Sequence, residues 1–236
     1  MISLVVFDMA GTTVNEDNVV YKTLQQSINK KGYDFSLDQV LTEGAGKEKL
    51  EAIRSILKVY ARKNDNSLAD EIYGDFIVRL AKAYENINVV PQPNALELFR
   101  ILRQKKIKIV LNTGYDADTA ESLIEKLGWQ KGVEYDSLIT SSDVENNRPD
   151  PEMIDLAMDI YGIQDPKSVI KVGDSIIDIE EGQNAGCGLN IGITTGAHTF
   201  QQLQSAGPDY IINNLLELVP IIDSVNIQTY YHHPGK

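Results

Sequence analysis

A chain of 236 residues, 42% hydrophobic and with a formal net charge of −12, can build one good core and a smaller second unit. That charge leaves no uniformly basic face for nucleic acid, and no apolar run reaches the 18 or so residues of a membrane span. The single cysteine, Cys187, excludes an intramolecular disulfide and fits a cytoplasmic setting, and Met1 to Asp8 lacks the basic start of a signal peptide.

Leu4-Val5-Val6-Phe7 reads as a buried strand that stops at Asp8, where Gly11-Thr12-Thr13 breaks the pattern. From Val19 to Asn86 the apolar spacing is helical throughout, carried by Leu24 and Ile28, then Leu50, Ile53, Leu57 and Tyr60, then Ile77, Leu80, Ala81 and Tyr84. This predicts an all-helical insert. After Pro91-Gln92-Pro93 the style changes. Helix 95–104 leads to strand 107–111, helix 117–127 to a short strand at Leu138-Ile139, and helix 151–161 to Val169-Ile170-Lys171-Val172. Helix 177–184 then leads to strand 189–193, a weaker helix to Tyr210-Ile211-Ile212, and a last helix spans 214–223. Strands alternating with helices predict an α/β, doubly wound, Rossmann-like parallel sheet covered on both faces. Right-handed crossovers then bring every strand's C-terminal end to one edge. The expected domains are a core at 1–15 and 91–225, a helical cap at 16–90 and a tail at 226–236. Cys187 reads as a packed, inert thiol. His232 and His233 are adjacent and diverge, so they read as a frayed end and not a metal clamp.

Four polar features fall at predicted strand ends, and each has an ordinary explanation when taken alone. Asp8, ahead of Met9-Ala10-Gly11-Thr12-Thr13, points a carboxylate into the crevice or caps a helix. Thr113 in Asn112-Thr113-Gly114-Tyr115 places a hydroxyl beside turn N–H groups, or is a plain Thr-Gly turn. Arg148, in Asn147-Arg148-Pro149-Asp150-Pro151, fixes a cation ahead of a helix, or is a surface arginine. Asp174 and Asp178, in Gly173-Asp174-Ser175-Ile176-Ile177-Asp178, suit a hard divalent cation, or cap a helix. The coincidence of all four at one sheet edge is the signal.

In order and spacing the four segments resemble the motifs of the haloacid dehalogenase superfamily, and the last one, with Glu181-Gly182 and Asn184-Ala185-Gly186, is specific. The resemblance covers nearly the whole chain. It implies a Mg²⁺-dependent hydrolase with Asp8 as nucleophile and an aspartyl-phosphoryl intermediate. It implies metal ligation by Asp8, the Ala10 carbonyl and Asp174, with Asp178 a ligand or a supporting acid. Thr113 and Arg148 would neutralise the transferring group, and Thr12, Gly114 and Tyr115 would contact substrate. Two departures narrow the branch. Most members carry a second Asp where this chain has Ala10, and Lys where it has Arg148. Both departures, with Ala10-Gly11-Thr12-Thr13-Val14, are similar to the phosphonatase branch, the phosphonoacetaldehyde hydrolases and their relatives. In that branch a cap lysine forms a Schiff base and the C–P bond breaks to give an enamine, so no leaving oxygen needs a proton. The implied substrate is a 2-oxoalkylphosphonate. A phosphate monoester is the alternative, and a non-catalytic phosphometabolite-binding protein a third reading. The resemblance also implies a homodimer through the cap.

The branch places its lysine in Gly-x-x-Lys-x-x-x-Ile-Arg, which Gly46 to Arg54 matches with Lys49. Helix geometry agrees. At about 100° per residue, Lys47 shares a stripe with Glu51, Arg54 and Lys58, whereas Lys49 lies with Ala52, Ile53 and Ile56. An amine on an apolar face has a lowered pKa, as imine chemistry requires, although a lysine snorkelling at a cap–core seam gives the same pattern. The branch has His three residues after its lysine and Met four before it; this chain has Ala52 and Ala45.

Overall fold

The structure, a computed structural model, describes residues 1–232. After β1 (Leu4–Asp8) and the two-residue β2 (Val14–Asn15), the chain enters four helices, α1 (Val19–Asn29), α2 (Leu37–Gly44), α3 (Lys49–Tyr60) and α4 (Asn66–Asn86). It returns through β3 (Val90–Pro91), which pairs antiparallel with β2. The rest alternates as α5 (Ala95–Gln104), β4 (Lys108–Thr113), α6 (Ala117–Leu127), β5 (Ser137–Thr140), α7 (Glu152–Ile160) and β6 (Val169–Gly173). Then come α8 (Ile176–Asn184), β7 (Leu189–Ile193), α9 (Phe200–Ser205), β8 (Tyr210–Ile212) and α10 (Leu218–His232).

The main sheet runs β5-β4-β1-β6-β7-β8, parallel at every pairing. The chain therefore builds outward from β1 in one direction, then restarts beside β1 in the other. The switch point lies between β1 and β6, where a doubly wound sheet opens a crevice at its C-terminal edge. Alternation along β1 splits the core in two. Val5 and Phe7 join the large cluster with α5 and the helical cap. Leu4 and Val6 join Met153, Ile154, Ala157 and Cys187 on the other face. Cys187 is buried there, and that burial pushes its thiol up to about 12, as expected of a packed, unreactive side chain.

The cap is helical because its apolar residues recur at three- and four-residue steps. On α4, Ala69, Ile72, Phe76, Leu80 and Tyr84 are all buried, and α4 packs on α1 and α3. Ser36 and Gln39 form a reciprocal cap at the start of α2. The Glu48 carboxylate accepts the N–H groups of Leu50 and Glu51 at 2.9 and 3.0 Å, which starts α3 at Lys49. Lys47 therefore precedes the helix, and the helical wheel drawn through it does not apply to that residue. Its amine donates to Ser55 Oγ at 2.9 Å, away from the cleft.

At its far end the chain differs from expectation. A short 3₁₀ turn occupies Leu215–Glu217, and α10 continues to His232, well into the segment read as a tail. The extension is anchored by Leu218 and Ile222 in the core and by Asn226, whose Oδ1 accepts the Ile2 N–H at 2.7 Å. His233 and the last three residues lie outside the described residues, and with His233 the paired-histidine reading.

Candidate active site

Period-two alternation places Asp8, Asn112 and Lys171 on one face of three adjacent strands, with Asp8 level with Asn112 and Val6 level with Lys171. Arg148 joins them from the loop before α7. Its Nη1 lies 2.8 Å from Asp8 Oδ1 and 2.9 Å from Asp178 Oδ1, and its Nε 3.0 Å from Glu181 Oε2. Lys171 reaches the same acids, 3.0 Å from Asp178 Oδ1 and 2.9 Å from Glu181 Oε2. Asn112 ties the two cations together. Its Oδ1 accepts from both, at 2.6 Å each, and its Nδ2 donates to Glu181 Oε1 at 2.8 Å. Burial alone would weaken the Arg148 charge, but Asp178, Glu181 and Asp8 raise its pKa further. Burial likewise works against an ionised Asp178, yet Arg148 and Lys171 hold it below the usual carboxylate range.

Asp8 ends β1 in a tight turn where the Met9 carbonyl accepts the N–H groups of Thr12, Thr13 and Val14. Gly11 is needed there. Its φ is +88°, and a Cβ would meet the Gly196 backbone at 2.9 Å. Asp174 follows β6, and its Oδ2 accepts the Ala197 N–H at 2.6 Å. Burial raises Asp8 to about 6, helped by Asp178 and opposed by Arg148 and Lys171. Burial, then Asp8 and Asp178, raise Asp174 well above its ordinary value.

Asp8, Asp174 and Asp178 offer oxygens that all lie within 4.8 Å of one another. Asp8, Asp178 and Glu181 share two buried cations, Arg148 and Lys171. Asp174 has no cationic partner among the described residues. The residues present therefore fit a divalent cation with oxygen ligands. Asp178 contributes to that cluster, but its Oδ1 already faces two cations and its Oδ2 accepts from the Ser175 hydroxyl and N–H. That engagement suits support of Arg148 better than direct ligation.

The cleft above Asp8 is lined by Ala10, Tyr21, Gly46, Lys49, Thr113, Gly114, Tyr115 and Asp174 as well as Asp8 itself. Thus Asp8, Ala10, Lys49, Thr113, Gly114, Tyr115 and Asp174 come together as the sequence suggested, with Arg148 beneath. Thr12 does not reach the cleft wall: it is fully buried, and its hydroxyl turns to Asp174 Oδ1 at 3.4 Å. Thr113 Oγ1 accepts the Tyr115 N–H at 3.2 Å, which leaves its own proton free to donate.

Cap and core meet backbone to backbone over this cleft. A Cβ on Gly114 would lie 2.5 Å from the Gly46 carbonyl oxygen and 2.9 Å from that of Lys47. His198 pins the same seam, since its Nδ1 accepts the Ile176 N–H at 3.0 Å and its Nε2 faces the Leu41 carbonyl of α2 at 3.3 Å. Lys49, only 5% exposed, reaches in from the cap. Its Nζ donates to the Lys47 carbonyl and sits 5.1 and 4.9 Å from the ring centres of Tyr21 and Tyr115. Burial lowers its pKa to about 8.

Sequence reading passed over Lys171 and Tyr21. The signal for Lys171 was present: a charge inside a strand expected to be buried on both faces needs buried partners. Tyr21 carried no such signal, because it reaches the site only once the cap has folded over.

A doubly wound sheet that gathers a buried carboxylate, a buried cation and an acidic cluster at its switch point is an arrangement suited to phosphoryl transfer. Residues 2–186 match the family of haloacid dehalogenase-like hydrolases, and the chain belongs to that family. It is 29% identical to the phosphonoacetaldehyde hydrolase of Parabacteroides distasonis, over 95% of this chain and 97% of that one. It is 27% identical to that of Latilactobacillus sakei, over 94% and 95%. Among solved structures, a phosphonoacetaldehyde hydrolase-like protein from Oleispira antarctica superposes with a TM-score of 0.84 at 21% identity, covering 99% of this chain and 96% of that one. No helix among the described residues is long and apolar enough to cross a membrane.

Proposed function

We propose that this hydrolase uses Mg²⁺ and an aspartyl-phosphoryl intermediate on Asp8 to cleave the C–P bond of a 2-oxoalkylphosphonate, phosphonoacetaldehyde or a relative. The observation that carries the reading is the desolvated amine of Lys49 in the same enclosed cleft as Asp8. A buried amine at about 8 is neutral in roughly a tenth of molecules at pH 7, against a few in ten thousand at its ordinary 10.5. Only the neutral amine attacks a carbonyl.

The residues divide the work. Lys49 condenses with the substrate carbonyl to a protonated imine, an electron sink beside the C–P bond. Arg148 holds Asp8 Oδ1 and leaves Oδ2 to attack phosphorus. The C–P bonding pair moves into the imine to give an enamine, so Ala10 suffices where a phosphatase needs an acid. The Thr113 hydroxyl donates to a phosphoryl oxygen. A divalent ion held by Asp8, the Ala10 carbonyl and Asp174, with Asp178 behind, would supply the positive charge that lets a carboxylate approach an anion. Water then releases phosphate from Asp8. The same reading includes a small anionic substrate as the partner at the site, a homodimer through the cap and a cytoplasmic setting.

A phosphate monoester hydrolase is the second reading. It is favoured by Ala45 and Ala52, buried cap residues with no functional group to assist an imine. Phosphate release from phosphonoacetaldehyde and from phosphate esters, with borohydride reduction and mass spectrometry of the adduct, separates the two. The first reading expects an adduct on Lys49 that is lost in Lys49→Arg and kept in Lys47→Arg. Release from esters alone, with no adduct, establishes the second.

A further inference from the structure

Tyr21 lines the cleft without a role in the chemistry above. It belongs to α1, is 5% exposed, and joins the cleft wall with Asp8, Lys49 and Asp174. Its hydroxyl oxygen accepts the Gly46 N–H at 2.9 Å. Gly46 is itself packed on the core, where an added Cβ would lie 2.6 Å from Ser175 Oγ. The ring is therefore held from its hydroxyl end. The Lys49 amine lies over that ring, 5.1 Å from its centre, and 4.9 Å from the centre of the Tyr115 ring. Both distances fall within the ~6 Å over which an aromatic face attracts a cation. Among the described residues the amine has one hydrogen-bond partner, the Lys47 carbonyl, and no carboxylate within 4.0 Å. A buried charge without a counter-ion needs another source of stabilisation, and the rings are what the cleft offers.

We propose that Tyr21 keeps the Schiff-base nitrogen of Lys49 charged, its ring face taking the place of a carboxylate counter-ion. The inference rests on the Schiff-base reading and deepens it. Over the whole condensation the ammonium nitrogen gives two protons to the carbonyl oxygen, which leaves as water. The new C=N bond keeps the single positive charge. In the next step the C–P bonding pair forms the C=C bond of the enamine, the C=N π pair moves to nitrogen, and phosphorus passes to Asp8. The charge on nitrogen is what draws those electrons. An imine nitrogen is a weaker base than the amine it comes from, and burial weakens it further. Unaided, it sheds its proton and is no longer an electron sink. A carboxylate would hold that proton, but it would hold it on the free amine as well and leave less of the neutral form that attacks. An aromatic face stabilises the charge more weakly and takes no proton. Lys49, at about 8, is accordingly able to lose its proton near neutrality.

The test is the initial rate of borohydride trapping on Lys49 with saturating phosphonoacetaldehyde, from pH 6 to 9, in wild type, Tyr21→Phe and Tyr21→Leu. Thermal melts check that each protein is folded, and Tyr21→Met replaces Tyr21→Leu if the latter is not. Borohydride reduces the charged C=N form, so the rate rises as the amine loses its proton and falls as the iminium loses its own. Burial holds the Tyr21 phenol well above its ordinary value, so the ring is neutral throughout and no substitution changes the charge of the cleft. The charged groups facing the amine, Glu48, Asp8, Arg148 and Glu16, with Asp174 in the same cleft, are common to all the proteins. Tyr21→Leu should displace both limbs of the profile to lower pH, by about 0.5 to 1.5 pH units. Tyr21→Phe keeps the ring face and loses only the bond to Gly46, so its limbs should stay in place. A folded Tyr21→Leu that is slower with its limbs unmoved, or a Tyr21→Phe displaced as far as Tyr21→Leu, overturns the proposal. Wild type that forms no adduct on Lys49 overturns the Schiff-base reading itself, and the role of Tyr21 with it.

Discussion

Gly114→Ala tests whether the reaction needs cap and core in backbone contact. The new methyl would lie 2.5 Å from the Gly46 carbonyl oxygen, where ordinary contact begins near 3.4 Å. The cap segment carrying Gly46 and Lys47 must therefore retreat by about 0.9 Å. That segment cannot give way alone. Gly46 is itself packed against Ser175, whose Oγ would lie 2.6 Å from a Cβ added there, and Lys49 follows three residues later at the start of α3. The displacement is passed to the Lys49 amine and to the fit over Asp8. A misplacement of about 1 Å at a reacting group costs roughly 100-fold in rate. We expect kcat to fall by about 10- to 100-fold, with the melting temperature within a few degrees of wild type because the cap can rest ajar. Gly114 has no left-handed backbone to strain, so an effect of the methyl is an effect of contact. The assay is steady-state phosphate release, with limited proteolysis of the 15–18 and 87–90 linkers as a measure of opening. A Gly114→Ala protein with wild-type kcat and unchanged proteolysis would refute the closed seam as the working conformation.

Asp8→Asn should abolish turnover and raise the metal-free melting temperature at pH 8. Burial puts the folded pKa of Asp8 at about 6, above its ordinary 3.8, so its contribution to stability is intact below about pH 4 and lost as pH rises through 6. Melts in chelator from pH 4 to 8 should show the gain shrinking toward acid. Added Mg²⁺ should raise the melting temperature of wild type at pH 7.5, and Asp174→Ala should lose both that rise and activity; an unchanged Mg²⁺ response would remove Asp174 from the ligand set. Arg148→Ala should lower kcat by about two to three orders of magnitude. It should also cost about 3–5 kcal/mol in denaturant melts, because Asp178 and Glu181 are left short of a buried partner. A rise in KM alone would make Arg148 a binding residue.

The order of strands and helices was legible from the chain because each obeys a local period. Continuous apolar runs marked strands buried on both faces, three- and four-residue spacing marked the helices, and Gly and Pro punctuated them. The same periods, with the motif residues, placed Asp8, Thr113, Arg148 and Asp174 at one sheet edge. Local period also assigned Lys49 to the apolar side of its helix. Tertiary structure alone decided what these residues touch. Asn112 ties Arg148 to Lys171 because three strands pair in register, and register is a long-range property that no window of sequence carries. Thr12 is buried outside the cleft wall and spends its hydroxyl on Asp174, one of the residues that line it. Tyr21 reaches Lys49 only because the cap folds back over the sheet, bringing residues 21, 49 and 115 together from separate elements. Burial, which sets the pKa of Asp8, Glu16 and Lys49, exists only once that closure has excluded water.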